Sequence, residues 1–317
     1  MDTPLVQTKN LKKYFRAANG SLHAVDNINL SIQAGSTLGV VGESGCGKST
    51  LGRVILRLLE PTAGEIFYNG NNITHYDKKH LLELRKKMQI IFQDPFASLN
   101  PRMTISELIM EPILVCHTLN GRESIENKVC ELMDTVGLTR RYINTYPHEL
   151  DGGRRQRIGI ARALALDPQF IVCDEPVSAL DVSIQAQILN ILMDLQESKG
   201  LTYLFITHNL SVVKHISNEI MVMYQGECVE YASSEELLSK PLHPYTKALL
   251  DSVPIPKLSS RTQKRHIIEG EITSPINPKP GCRFASRCEF KKVECCERPI
   301  PEVVVGNGHT VKCVLVA

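Results

Sequence analysis

The sequence predicts an α/β fold: a largely parallel sheet covered by helices, with a small loop-rich extension at the C-terminal end. Three observations carry that reading. Compact apolar runs of strand length alternate with stretches of helical periodicity, most plainly in the strand–helix–strand order of residues 170–173, 184–197 and 203–206. A glycine-rich loop at residues 42–50 stands directly after one such run and directly before a helical pattern. Beyond Ser252 the texture changes: Pro254, Pro256, Pro275, Pro278, Pro280, Pro299 and Pro301 crowd a segment that also holds half of the cysteines.

Taken in order, residues 1–70 read as strands separated by turns. Residues 22–32 alternate apolar and polar positions, with Val25, Ile28, Leu30 and Ile32 as the inward set, and Ala34-Gly35 supplies a turn. Residues 38–41 are an uninterrupted apolar run, as suits a parallel strand buried on both faces. Residues 50–59 carry Leu51, Val54, Ile55 and Leu58 at helical spacing. From residue 78 to 165 the pattern is mostly helical, punctuated by Pro95, Pro101, Pro112 and Pro147, and residues 95–165 are expected to form a helical subdomain. Residues 1–252 are expected to form the main domain and residues 253–317 the extension.

Composition excludes several classes. Of 317 residues, 43% are hydrophobic and 22% charged, which is ordinary for a globular chain and unlike a disordered one. Thirty-six basic against 34 acidic residues leave a formal net charge of +2, too small for a protein held to nucleic acid by its whole surface. With no Trp and 5% aromatic residues, a base-stacking surface has little to draw on. No apolar run approaches the ~20 residues that span a bilayer. Met1-Asp2-Thr3-Pro4 has neither the basic nor the apolar region of a signal peptide, so a cytoplasmic chain is expected.

The loop Gly42-Glu43-Ser44-Gly45-Cys46-Gly47-Lys48-Ser49-Thr50 fits GxxxxGK[ST]. Its glycines let backbone N–H groups turn inward around phosphates, and the following helix presents the positive end of its dipole to them. Lys48 is expected at the β- and γ-phosphates of a nucleoside triphosphate and Ser49 on Mg²⁺. The dinucleotide fingerprint GxGxxG fails, because a match begun at Gly45 needs glycine where Thr50 stands. A phosphate site of this kind needs a further carboxylate for the metal and a group for the attacking water. Residues 170–175 supply both at the end of a buried strand: Asp174 to hold Mg²⁺ through water, Glu175 to orient or deprotonate the attacking water.

These motifs, in this order, resemble the ATP-binding cassette family over residues 5–250. Gln93 is similar to the Q-loop glutamine, Leu150-Asp151-Gly152-Gly153-Arg154 occupies the signature position, and Ser178-Ala179-Leu180-Asp181 resembles the D-loop. His208 resembles the switch histidine, and Tyr14 the aromatic that stacks on adenine, with Phe15 as its rival. The resemblance implies a P-loop ATPase of the cassette type with Glu175, His208 and Gln93 as catalytic groups. It implies ATP held by Tyr14, by Gly42 and the loop from Ser44 to Thr50, and by Gln93, Asp174, Asp151, Gly152, Gly153 and Asp181. Mg²⁺ falls to Ser49, Gln93 and Asp174.

Two stretches narrow the branch. Gln93-Asp94-Pro95-Phe96-Ala97-Ser98-Leu99-Asn100-Pro101-Arg102 and Leu242-His243-Pro244-Tyr245-Thr246 are similar to the oligopeptide/dipeptide group of importers, and the cysteine-rich tail is similar to that group's F-type ATPase subunit. Nickel and other small-solute importers share these stretches. The resemblance therefore implies ATP-driven import of peptides, or the same role for nickel or another small solute. It further implies a head-to-tail heterodimer with a sister ATPase, two transmembrane permease subunits and, indirectly, a solute-binding protein, at the cytoplasmic face of the inner membrane. No nucleic-acid partner is expected. The rival from another class is a soluble cassette protein acting on ribosomes or DNA. Such proteins usually carry paired cassettes or long coiled coils, and this sequence has neither.

The signature departs from the family's pattern, with Asp151 where serine is usual and Arg154 where glutamine is. Asp is a good helix N-cap. In the family, however, this segment faces the γ-phosphate bound on the partner subunit. A carboxylate about 4 Å from a phosphate charge costs about 4 kcal/mol at an effective dielectric of about 20, before Arg154 offsets any of it. Arg154, Arg155, Arg157 and Arg162 are expected in phosphate contacts or surface salt bridges.

Ten cysteines are unevenly placed. Cys46, Cys116, Cys130, Cys173 and Cys228 are scattered and fit small buried hydrophobes. Cys282, Cys288, Cys295, Cys296 and Cys313 cluster in the tail, which in a reducing compartment reads as a metal site before a disulfide framework. Five, six and seventeen residues separate Cys282, Cys288, Cys295 and Cys313, without the C-x₂₋₄-C pairs typical of zinc. Four thiolates are the usual complement of a [4Fe–4S] cluster, and the importer resemblance implies that cluster on those four residues. Zinc is the alternative, and Cys296 could replace Cys295.

Overall fold

A computed structural model describes residues 3–252, 275–306 and 308–316 of the chain. The chain divides into two units: Met1–Gln33, Thr37–Thr74 and Thr207–Ala317 form one, Ala34–Ser36 and His75–Ile206 the other. Much of the junction expected after Ser252, together with Pro254 and Pro256, lies outside the described residues.

In the first unit the strands Val6–Ala17 and Gly20–Ile32 form an antiparallel hairpin, and Ala63–Tyr68 pairs with the other edge of Val6–Ala17. The inward set Val25, Ile28, Leu30 and Ile32 is buried. Simple alternation would put Val25 and Ile28, three apart, on opposite faces. Asn27 resolves this with a φ of 57°, while the register slips between Leu11↔Ile28 and Lys13↔Val25. The resulting bulge returns Val25 to the core.

A second sheet of this unit begins with the fully buried strand Thr37–Val41, which runs parallel to Glu219–Tyr224. Glu227–Ser233 adds antiparallel to Glu219–Tyr224, His309–Val311 to Glu227–Ser233, and Val303–Gly306 to His309–Val311. The C-terminal extension therefore shares a sheet with the strand that leads into the glycine-rich loop. The helix after that loop is Lys48–Ile55, shorter than the periodicity suggests, and Leu58 is exposed rather than inward. Arg57 takes a φ of 54°, where the chain leaves the helix, and its buried guanidinium donates to the Ile73 carbonyl at 3.3 Å.

In the second unit Met88–Ile91, Phe170–Asp174 and Thr202–Thr207 are neighbouring parallel strands, with Phe170–Asp174 in the middle. Met88–Ile91 is a strand within the mostly helical stretch 78–165. It follows the helix Lys78–Lys87 without a break, and four residues are too few to show a period of their own. The helices Pro95–Ser98, Ile105–Cys116, Arg122–Thr135 and Gly152–Leu164 follow the strand, and Val182–Lys199 stands between Phe170–Asp174 and Thr202–Thr207. Pro112 lies inside Ile105–Cys116 instead of ending it. A capping box of Thr104 and Glu107, with Ile105, Leu108, Ile109 and Ile113 all buried, holds that helix despite the lost backbone bond. Among the described residues no helix is long and apolar enough to cross a membrane.

Candidate nucleotide site

The strand Thr37–Val41 delivers the chain into the loop at Gly42. Gly42 and Gly47 have φ angles of 156° and 105°. Both press on main chain: a Cβ on Gly42 would run into the Met223 carbonyl, and one on Gly47 into the Ala24 carbonyl. Only glycine satisfies both demands. The loop is tied down from behind, where Gly226 N–H donates to the Cys46 carbonyl at 2.8 Å. Gly47 precedes the helix Lys48–Ile55, which begins without a side-chain cap, the arrangement in which backbone N–H groups and the helix dipole serve an anion. Lys48 is buried, and its ammonium donates to the carbonyls of Gly42 at 2.7 Å and Glu43 at 2.9 Å. Ser44 and Gly45 are exposed at the crest, and Ser49 and Thr50 are half-buried in the first helical turn. Cys46 is buried, which pushes its thiol pKa up and fits its reading as a small hydrophobe.

Glu43, passed over by motif reasoning, is held at three points. Its N–H donates to the Tyr245 hydroxyl at 2.9 Å, its carbonyl accepts from Lys48, and its carboxylate accepts from Arg287 at 2.7 and 3.0 Å. Tyr245 belongs to the Leu242-His243-Pro244-Tyr245-Thr246 stretch. The His243 ring caps the helix Pro244–Asp251 by accepting from Tyr245 N–H at 3.0 Å, while Leu242 and His243 N–H groups donate to the fully buried Glu230 at 2.7 and 2.9 Å. That stretch is a brace behind the phosphate loop.

Tyr14 stacks on His23, with centroids 3.8 Å apart and an interplanar angle of 12°, and its hydroxyl donates to Asp26 at 2.6 Å. Burial and the Asp26 carboxylate push the phenol pKa up. Burial opposes ionisation of Asp26 itself. Hydrogen bonds from Tyr14 and His23 and the Arg283 guanidinium outweigh it, so its pKa lies below the ordinary carboxylate value. The rival Phe15 lies under the Lys13 ammonium at 5.0 Å and has no such tether. His208 follows the strand Thr202–Thr207 and is exposed, beside Asn209, which caps Leu210–Ile216.

The second unit carries the remaining candidates. Asp174 is 2% exposed at the end of its strand. Glu175 follows with a φ of 47°, rare outside glycine, and its N–H donates to the Ile206 carbonyl at 3.0 Å. Gln93 Nε2 donates to Glu175 Oε2 at 3.0 Å, and Ser178 Oγ to the Glu175 carbonyl at 3.1 Å, so the Q-loop and D-loop candidates converge on this residue. Asp151 caps the helix Gly152–Leu164 through Arg154 N–H at 2.8 Å, and its other oxygen takes the Arg154 guanidinium at 2.7 Å. Gly152 and Gly153 pack beside the D-loop and the helix after it: a Cβ on Gly152 would lie 3.2 Å from Leu180, and one on Gly153 2.6 Å from Ile184. Asp181 precedes the helix Val182–Lys199 and is exposed.

Of the four signature-helix arginines, Arg154 makes a salt bridge, with Asp151, as expected, and the other three are engaged differently. Arg155 donates to the carbonyls of Pro147 and His148 at 2.6 and 3.1 Å, Arg157 to that of Val136 at 2.6 Å, and Arg162 to that of Ser98 at 2.6 Å. These guanidiniums satisfy main-chain carbonyls at the ends of neighbouring elements, that of Pro147 shared with Leu150 N–H at 3.1 Å.

The metal-binding character expected of the extension is not shown. Cys282, Cys288, Cys295 and Cys313 all line one small cavity, with His243 and Phe284. Yet among the described residues no three His, Cys, Asp or Glu side chains are grouped so as to hold a metal ion. Burial pushes the Cys282 thiol up to about 12 and raises Cys288 and Cys313. Cys296 is exposed, unlike the buried Cys295 it could replace.

Comparison with known proteins decides the family. A model described as ABC transporter matches residues 25–178, and one described as the C-terminal region of oligopeptide/dipeptide transporters matches residues 229–295. The chain is 48% identical to the dipeptide transport ATP-binding protein DppF of Haemophilus influenzae, covering 95% of this chain and 93% of that one. It is 49% identical to the oligopeptide transport ATP-binding protein OppF of Salmonella typhimurium, covering 97% and 92%. The chain belongs to the ABC transporter family, in its oligopeptide/dipeptide branch. It has the fold of an ABC ATPase: the dimeric ATP-binding cassette MJ0796, solved bound to ADP and phosphate, matches with a TM-score of 0.67 at 30% identity, over 72% of this chain and 98% of that one. As an ABC ATPase this cassette uses ATP and Mg²⁺. Glu43, Arg283 and Arg287 carry no local signal in the sequence, because each finds a carboxylate or guanidinium partner 244 or more positions away.

Proposed function

We propose that this cassette is the ATP-hydrolysing subunit of a peptide importer, with residues 1–252 as the nucleotide-binding domain and residues 253–317 as the extension. One observation carries the reading: identity near one half, over more than nine-tenths of each chain, with relatives named for dipeptide and oligopeptide transport. In this reading the backbone N–H groups from Gly42 to Thr50 and the Lys48 ammonium bind the phosphates, and Tyr14 stacks on adenine. The Ser49 hydroxyl, the Gln93 amide oxygen and the Asp174 carboxylate are hard oxygen donors suited to Mg²⁺. When bound, that ion neutralises phosphate charge. Glu175 takes the proton of the attacking water, held by the Gln93 amide at 3.0 Å, and His208 contacts the γ-phosphate.

Asp151, Gly152, Gly153 and Asp181 serve the nucleotide of a sister ATPase subunit in a head-to-tail dimer, a reading supported by the dimeric state of the MJ0796 cassette. The assembly sits peripherally at the cytoplasmic face of the inner membrane on two permease subunits, with a solute-binding protein beyond them. Phe96, 64% exposed just after Gln93 with the Arg155 guanidinium 3.5 Å over its ring, supports docking there. Uptake of labelled di- and oligopeptides and of nickel by a deletion strain tests the reading. Peptide uptake should be lost and restored by the wild-type chain but not by Lys48→Ala. A loss confined to nickel moves the substrate, and failure of membrane subunits to co-purify favours a soluble role.

A second reading rests on the cavity shared by Cys282, Cys288, Cys295 and Cys313. Four cysteine sulfurs are the donor set of a [4Fe–4S] cluster, and this cavity brings four of them together. We propose these four residues as ligands of a [4Fe–4S] cluster with a structural role, tested by iron content after anaerobic purification.

A further inference from the structure

The segment from Cys282 to Cys288 reaches the nucleotide-side residues of its own unit at two points. Phe284 is buried against Tyr224 and Tyr245, its ring centroid 5.3 Å from each, which anchors the segment. A buried arginine stands on either side of that anchor. Arg287, 7% exposed, grips both oxygens of Glu43 at 2.7 and 3.0 Å. Arg283, 5% exposed, donates to the Gln225 carbonyl and to the Asp26 carboxylate.

Each acid controls one part of the nucleotide-side surface. Glu43 is the second residue of the phosphate loop, and its carbonyl is one of the two that locate the Lys48 ammonium. Fixing its side chain fixes that peptide. An unpaired carboxylate there would also oppose a polyphosphate, and a two-point guanidinium contact in a desolvated setting neutralises it. Asp26 holds the Tyr14 hydroxyl at 2.6 Å and so sets the plane of that ring.

We propose that Arg287 and Arg283 are positioning residues for ATP: Arg287 acts through Glu43 on the phosphate loop, and Arg283 acts through Asp26 on Tyr14. The proposal rests on the reading of the Lys48 loop and Tyr14 as the nucleotide site. It makes the extension a clamp that holds the loop and the base-stacking ring by separate contacts.

Separate contacts give separable effects. The test uses the full chain, displacing a fluorescent ATP analogue with ATP or with inorganic triphosphate, alongside thermal unfolding without nucleotide. Arg287→Ala should weaken both ligands about tenfold. Arg283→Ala should weaken ATP about tenfold and leave triphosphate unchanged. Glu43→Gln added to Arg287→Ala should cost no more than Arg287→Ala alone. Where an alanine variant fails to fold, the lysine variants serve, with intermediate losses in the same pattern. Losses of ATP and triphosphate affinity that are equal in both variants and track the melting temperature would overturn the proposal, leaving a structural staple. Lys48→Ala separates the two readings. If it leaves both ligands bound as tightly as wild type, the nucleotide reading itself fails. If it weakens both while neither arginine variant does, the clamp alone fails.

Discussion

Replacing Glu175 by glutamine removes the proposed base while keeping its surroundings. Gln93 Nε2, 3.0 Å from Glu175 Oε2, can donate to an amide oxygen as it does to the carboxylate. The backbone bond from residue 175 N–H to the Ile206 carbonyl, 3.0 Å, is indifferent to the side chain. What disappears is proton acceptance from the attacking water, a contribution of about 10² to 10⁴ for a positioned base. Turnover should therefore fall about 10²- to 10³-fold, or about 3–4 kcal/mol of transition-state stabilisation. ATP affinity should hold, because Lys48 and the loop are untouched. Gln93→Ala keeps the base but removes the 3.0 Å contact to its carboxylate together with a proposed Mg²⁺ ligand, and turnover should fall about 10²-fold. Single-turnover phosphate release by the assembled importer, with equilibrium ATP binding on the same samples, measures both quantities. Wild-type hydrolysis by Glu175→Gln, or loss of affinity in step with turnover, would refute the assignment.

In a head-to-tail heterodimer the ATP site completed by Asp151 is expected to be the slower one, so Glu175→Gln here should cost more turnover than the matching change in the sister subunit; equal losses count against the asymmetry. Glu230→Leu strands the Leu242 and His243 N–H groups and the His309 ring, 2.7 to 2.9 Å from the buried carboxylate, and should cost about 3–5 kcal/mol. Glu230→Gln keeps one acceptor oxygen but turns an NH₂ toward the remaining donor, so it should cost less, about 1–3 kcal/mol, and urea unfolding followed by circular dichroism distinguishes the two. Anaerobically purified protein should be brown and hold about four irons per chain, and a colourless preparation without iron sinks the cluster.

The parts of this molecule legible in its sequence are those whose chemistry demands fixed local spacing. Gly42 to Thr50, the proposed phosphate loop, must turn tightly within one segment, so φ angles of 156° at Gly42 and 105° at Gly47 are written as glycines. Asp174 and Glu175 are neighbours at a strand end, and Asp151 is a cap three residues from the N–H it accepts. What stays hidden is whatever depends on a distant partner or on too few residues. Met88–Ile91 is a strand because Phe170–Asp174 lies beside it, and nothing within its four residues says so. Arg287 and Glu43 are 244 positions apart, and no local pattern links them.

The altered signature shows how far local reading goes. Asp151 and Arg154 are two departures from the family's pattern, and read singly, Asp151 is expected to oppose a phosphate on the proposed sister subunit. In the structure they form one unit: one Asp151 oxygen caps the Arg154 N–H at 2.8 Å, and the other takes its guanidinium at 2.7 Å. Serine with glutamine and aspartate with arginine carry the same net charge, so the pair changes the direction of the local field more than its sum. The Arg154 guanidinium also lies 5.2 Å from the Tyr142 ring, in a cleft with Arg141 and Arg157 whose volume is about 260 Å³. Arg154→Gln alone should therefore harm the partner's ATP site more than Asp151→Ser and Arg154→Gln together, since only the single change leaves the carboxylate unmatched.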